Sequence, residues 1–167
     1  MALREVVTIP DEVLRRKAHK VTNFDKDLST LVDDMFETMR QAPGVGLAAP
    51  QIDISQRVIV VEYAEEEDEK PKSFAVINPE IIKTSAETEM GIEGCLSIPN
   101  LVGEVERFSA VVVKGFNKQG KPVKIKSSGW LARIFQHEID HLEGILFTDR
   151  ATRIWQPPQE ETAELPE

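Results

Sequence analysis

GWLARIFQHEIDHL, residues Gly129 to Leu142, is the stretch from which the rest of the chain is read. Trp130, Ile134, His137 and His141 recur at steps of four, three and four, which places them along one face of a helix. Leu131, Phe135 and Leu142 widen the apolar surface, and Gly144 supplies a C-terminal stop. Within the helix, His137-Glu138-Ile139-Asp140-His141 has the form H-E-x-x-H. Two imidazoles one turn apart converge on one ion, while the Glu138 carboxylate reaches its water. Two histidines buried together without an ion would need partners for both nitrogens of each ring, which is harder to arrange.

A catalytic ion needs a third protein ligand and an open position. Cys95, in Glu93-Gly94-Cys95-Leu96-Ser97, is the strongest candidate, although a lone cysteine is more commonly a small buried hydrophobe. Two neutral imidazoles and a thiolate leave a divalent ion with net positive charge, enough to acidify a bound water. That donor set accepts Fe(II), Zn, Co or Ni. Glu138 sits at an adjacent helical angle, so its expected task is proton transfer. The plainer alternative is a carboxylate that orients a neighbour. Asp140 and Glu143 read as surface acids or supporting partners.

Outward from the helix, the chain alternates short strand signals with turns. Arg57–Tyr63, Lys72–Asn78 (stopped by Pro79), Ala110–Phe116 and Lys121–Lys126 read as strands, with a turn over Asn117–Gly120. Ile81 and Ile82 begin another. Such strands need a helix to cover their apolar face. Near the start, Asp11–Lys17 reads as a short helix. Leu28, Leu31, Val32, Met35 and Met39 form a buried helical stripe, widened by Phe36 and ending before Pro43 and Gly44. Gly44 and Gly46 mark a tight turn or the close approach of another chain. The order helix, strands, long helix predicts an α+β domain over residues 1–150, with a short polar, acidic tail over 151–167.

Composition narrows the functional classes. The chain has 167 residues and 29 acids against 20 Lys and Arg, a net charge of −9, so no direct nucleic-acid binding through a basic surface is expected. One cysteine precludes an intramolecular disulfide and a four-cysteine zinc site. No run of apolar residues reaches membrane-spanning length, so no membrane partner is expected, and Met1–Pro10 has no signal-peptide core. Ala64–Lys70 (AEEEDEK) and the tail from Ile154 read as solvated segments.

Three segments taken in order, Gly44–Gln51 (GVGLAAPQ), Glu93–Ser97 (EGCLS) and Gln136–Leu142 (QHEIDHL), resemble the peptide deformylase family, with similarity running from about Val6 to Asp149. The resemblance implies a compact domain with antiparallel sheets packed around a central H-E-x-x-H helix. It implies one divalent ion on Cys95, His137 and His141, physiologically Fe(II), with Zn, Ni or Co in purified protein. The implied reaction is hydrolysis of the formyl group from N-formylmethionyl peptides of newly made proteins. Glu138 would move the proton, and the Gln51 amide with the Leu96 N–H would stabilise the oxyanion. Gly44, Val45 and Gly46 would bound the extended substrate. Val45, Trp130, Ile134 and the aliphatic part of Arg133 would line the methionine pocket.

By the same resemblance Glu93 and Arg107 form an ion pair. Val102 stands near a position where many bacterial members carry an arginine, and Glu106 stands where they carry a proline. The partners implied are formylated nascent peptides and a transient proximity to the ribosome, without a C-terminal docking helix. The implied location is the cytoplasm of a bacterial-type cell, or an organelle matrix after loss of a transit peptide. Two other readings stay open: a different small amidase or peptidase with the same ligands, and a structural metal domain or peptide-binding module with its cleft blocked.

Overall fold

The computed structural model describes residues 2–66 and 69–158. The early apolar stripe is buried along α1 (Lys26–Gln41), whose first turn is capped by the Asp25 side chain accepting from the Leu28 N–H at 3.0 Å. Two polar residues, Asp34 and Thr38, are buried on that helix as well. The expected helix at Asp11–Lys17 is shorter, a single 3-10 turn over Glu12–Arg15 that begins at the Asp11 cap.

Five antiparallel strands form the larger sheet, in the order β1 (Gly46–Ala48), β2 (Val58–Tyr63), β3 (Lys72–Thr84), β6 (Ala110–Phe116) and β7 (Pro122–Ser128). β2 is apolar on consecutive residues because both of its faces are covered. Val58 and Val60 pack with Leu31, Met35 and Met39 of α1, whereas Ile59 and Val61 pack with Phe135, Ile139 and Leu142 of α2 (Gly129–Leu142). Each such side chain, fully removed from water, contributes about 1.5–3 kcal/mol. The sheet is thus clamped between the two helices, with β1 as one edge.

A smaller sheet holds β4 (Thr88–Cys95), β5 (Ile98–Phe108) and β8 (Arg153–Trp155) in the order β4-β5-β8. Ile98 and Val105 pack against Leu146 and Phe147, the latter opening the short α3 (Phe147–Arg150). α2 begins and ends where its pattern predicts. Gly144 stops it at φ +77°, and a Cβ there would lie 2.5 Å from the Arg15 carbonyl oxygen. Among the described residues no helix is long and apolar enough to cross a membrane.

Three expectations change. Pro79 does not end a strand: β3 continues through Ile81 and Ile82 because the register shifts between Ile77 and Glu80, and a bulge places the proline where no ladder bond is needed. The chain beyond residue 150 is not all tail, since Arg153–Trp155 pairs with Val102–Glu104. β4 and β5 carried no strand signal because their polarity is inverted: Met90 and Ile92 face outward, while Glu93 and Arg107 are buried. Glu67, Asp68 and residues 159–167 of the two acidic segments lie outside the described residues.

Candidate metal centre

β4 ends at Cys95, and the turn Leu96-Ser97 reverses the chain into β5, with Cys95 paired to Ile98. This brings the sulfur against the face of α2 that carries both histidines. Cys95 Sγ and one ring nitrogen each of His137 and His141 lie within 4.8 Å of one another, and Sγ is 3.4 Å from His141 Nε2. The two imidazoles meet edge to face with centroids 5.1 Å apart.

His137 is oriented from behind. Its Nδ1 lies 2.9 Å from Glu93 Oε1, so the Nδ1–H donates to that carboxylate and Nε2 is left to face the cluster. Glu93 is held in turn by Arg107, whose Nε and Nη2 donate at 2.8 and 2.9 Å, and by Arg133 Nη1 at 2.7 Å. Burial opposes ionisation of Glu93, but the Arg107 and His137 contacts outweigh it and hold the carboxyl well below its ordinary range. Arg107 also donates to Asp140 at 2.7 Å, and Asp140 receives Arg150. Asp140 is therefore a supporting partner. Glu143 pairs with Arg57 at 2.6 Å near the end of α2.

Glu138 points beside the ligand face and is 5% exposed. Burial, the dominant cause, raises its carboxyl to about 7. The β1 edge lies directly on it: a Cβ at Gly46 would stand 2.6 Å from Glu138 Oε2. Gln51, also buried, accepts the Ala48 N–H on Oε1 at 3.0 Å, which turns its Nε2 toward Cys95 Sγ (3.5 Å) and Ser97 Oγ (3.2 Å).

These residues fit a divalent ion. Cys95, His137 and His141 converge as soft and borderline donors, and Glu138 Oε1 and His141 Nδ1 are buried without a protein hydrogen-bond partner. Burial works against a proton on either ring; Cys95 and Glu93 nonetheless raise the His137 pKa, while burial and His137 lower that of His141. Among the described residues this is the one His/Cys/Asp/Glu group of metal-ligating geometry, and it contains three residues, which leaves room for water.

A cleft of about 360 Å³ opens over the cluster. Gly44, Val45, Gly46, Gln51, Leu96, Trp130, Arg133 and Ile134 all line it, together with Ile92, which no sequence pattern singles out. Ile134 is 5% exposed and belongs to the floor, whereas Val45 and Trp130 stand at the rim with 44% and 43% exposure. Arg133 contributes its stem, but its head turns inward to Glu93 and the carbonyls of Val105 and Glu89, and it lies 5.4 Å from the Trp130 ring. No spacing signal announces that contact. Val102 faces Gly94 across the β4–β5 ladder, and Glu106 accepts from the Thr88 hydroxyl.

A model of the polypeptide deformylase family matches residues 3–156. Peptide deformylase 1 of Bacillus subtilis is 49% identical over 155 residues, covering 93% of this chain and 94% of its own. The peptide deformylase of Natranaerobius thermophilus is 51% identical over 155 residues, covering 93% and 96%. The crystal structure of peptide deformylase from Thermotoga maritima superposes with a TM-score of 0.85 at 42% identity, covering 92% of this chain and all of that one.

Proposed function

The chain belongs to the polypeptide deformylase family, and from that premise we infer that it hydrolyses the formyl group of N-formylmethionyl peptides, releasing formate and a free N-terminus. The observation that carries this is the convergence of Cys95, His137 and His141, with Cys95, His137 and Glu138 facing an open cleft. The enzyme is a metal-dependent hydrolase, and Cys95, His137 and His141 hold one divalent ion, Fe(II) or a substitute. When bound, the ion supplies Lewis acidity, polarising the formyl carbonyl and lowering the pKa of water.

The chain's own residues supply the rest. A carboxyl poised near neutrality is suited to take a proton and give it back, so Glu138 deprotonates the attacking water and delivers the proton to the leaving amine. Gln51 Nε2, fixed by the Ala48 N–H on its other end, donates to the oxyanion together with the Leu96 backbone N–H. Gly46–Ala48 presents an open strand edge to the cleft, so a peptide lying along it gains backbone hydrogen bonds with little demand on its side chains. The methionine side chain lies against Val45, Trp130, Ile134 and the Arg133 stem. Formyl carries only hydrogen on its carbonyl carbon, so acetyl is rejected by steric clash.

The substrates are formylated peptides as they emerge in synthesis. The encounter with the ribosome is transient, and the location is cytoplasmic, as bacterial relatives support. The test is formate release by Fe(II)-loaded protein under anaerobic conditions. Formyl-Met-Ala-Ser is expected to be turned over and acetyl-Met-Ala-Ser not. Absence of formate from the Fe(II) form refutes the assignment.

A further inference from the structure

Asp34 is a buried carboxylate on α1, and its partners show what it does. Its Oδ1 accepts the Ala2 N–H at 2.7 Å, and its Oδ2 receives Arg4 Nε at 2.9 Å and Nη2 at 2.7 Å. One turn further along, Thr38 Oγ1 accepts the Arg4 N–H at 2.9 Å. Asp34 and Thr38 are 3% and 4% exposed, so these contacts satisfy polar atoms that would otherwise be costly inside the helix face. They moor an extended N-terminal segment across α1.

Beyond the mooring, the segment reaches the backbone behind two cleft residues, Gln51 and Leu96. The Val7 N–H donates to the Gln51 carbonyl at 2.8 Å, and the Ile9 N–H donates to the Ser97 carbonyl at 3.0 Å. Gln51 Nε2 closes the circuit on Ser97 Oγ at 3.2 Å. A ring of hydrogen bonds thus joins residues 7–9, a second 3-10 turn (Ala49–Ile52) that carries Gln51, and the turn that carries Leu96. Gln51 and Leu96 come from different elements, 45 positions apart in sequence, and both must aim at one oxygen. The strap bridges the two backbones directly.

We propose that Arg4–Ile9, moored on Asp34 and Thr38, is a positioning element that keeps the Gln51 amide and the Leu96 N–H in register for the developing oxyanion. The assignment rests on the oxyanion role given to those two groups. It accounts for a carboxylate and a hydroxyl on an otherwise apolar helix stripe.

The test is a mutant cycle on the Fe(II)-loaded protein. Asp34→Ala, which unmoors the strap, and Gln51→Leu are made singly and together. Measured for each are kcat and KM for formyl-Met-Ala-Ser, bound metal, Tm, and amide hydrogen exchange of Val7 and Ile9. Asp34→Ala is expected to speed exchange at both amides and to lower kcat about tenfold, less than the ~10²–10³ of losing an oxyanion donor outright. KM and metal content stay unchanged, and Asp34→Asn, which keeps one of the two acceptor oxygens, recovers only part of the rate. In the Gln51→Leu background the same change is expected to cost less than about threefold, because one of the two groups it positions is gone.

Phe24→Leu, at the edge-to-face pair with Phe116, is the stability control, expected to lower Tm and to leave kcat unchanged. Equal fold losses in both backgrounds, or a kcat that follows Tm in Phe24→Leu too, overturn the proposal. If Gln51→Leu lowers kcat and Asp34→Ala does not, the strap assignment alone falls. If Gln51→Leu leaves kcat intact, the oxyanion reading falls and takes the strap with it. Should Asp34→Ala not fold, Val7→Pro, which removes the N–H at the Gln51 carbonyl, takes its place in the cycle.

Discussion

Glu93→Gln separates the support of the metal centre from the centre itself. Glu93 accepts four hydrogen bonds in a site where its side chain is 4% exposed: two from Arg107, one from Arg133 and one from His137. The amide keeps one acceptor oxygen and turns two N–H donors toward other donors. It also leaves two buried guanidinium groups short of an anion, with Asp140 neutralising only Arg107. Breaking a buried ion pair from one side costs about 3–5 kcal/mol. At about 2–4 °C per kcal/mol for a domain of this size, Tm should fall by roughly 6–20 °C.

The second effect of Glu93→Gln is on the ion. His137 loses the carboxylate that fixes its tautomer, which typically weakens metal affinity by about 10–100-fold. Calorimetry gives the first number, and competition with a chelator for Zn or Co gives the second. Glu62→Gln, which breaks a pair whose arginine is half exposed, is the control and should cost no more than about 1 kcal/mol with no change in affinity. A Glu93→Gln protein that loses stability but binds the ion as before refutes the claim that Glu93 sets the ring.

Glu138→Gln should retain metal content while kcat falls by about 10²–10⁴-fold, read by single-turnover formate release, since the amide accepts no proton. Gly46→Ala should lower activity sharply, because its Cβ would meet Glu138 Oε2 at 2.6 Å; Gly94→Ala, whose nearest neighbour is 3.6 Å away, should be close to neutral. The Arg40 hydrogen bond, the largest influence, lowers Glu62 to about 2 from an ordinary 4.5. With the folded value depressed, its contribution to stability is complete above the unfolded pKa and disappears as pH falls from about 4.5 toward 2. Glu62→Gln should therefore flatten the acid limb of a Tm-against-pH curve over that window and leave the neutral region little changed.

α1 and α2 were legible because each carries an apolar period that its burial largely follows, and α2 brings two ligands with it. Cys95 was legible only as a candidate, since a lone thiol has no period. The smaller sheet was hidden for a physical reason. Strand signals assume apolar residues inside, but β4 and β5 bury Glu93 and Arg107 and expose Met90 and Ile92. The pair makes sense only once the strands are side by side. Pro79 misled because a bulge exempted it from the ladder. Arg133 was placed in the pocket wall on its stem, while its head answers a carboxylate 40 residues away.

Sulfur and imidazoles reach the ion from opposite halves of the molecule. Cys95 ends a strand of the smaller sheet, and His137 and His141 ride on the helix that covers the larger one. An ion held by all three is consequently a rivet between two layers as well as a reagent. Above its dissociation constant, each tenfold increase in free ion adds about 1.4 kcal/mol against unfolding. Stripping the ion with a chelator would then lower the stability of the molecule along with its turnover.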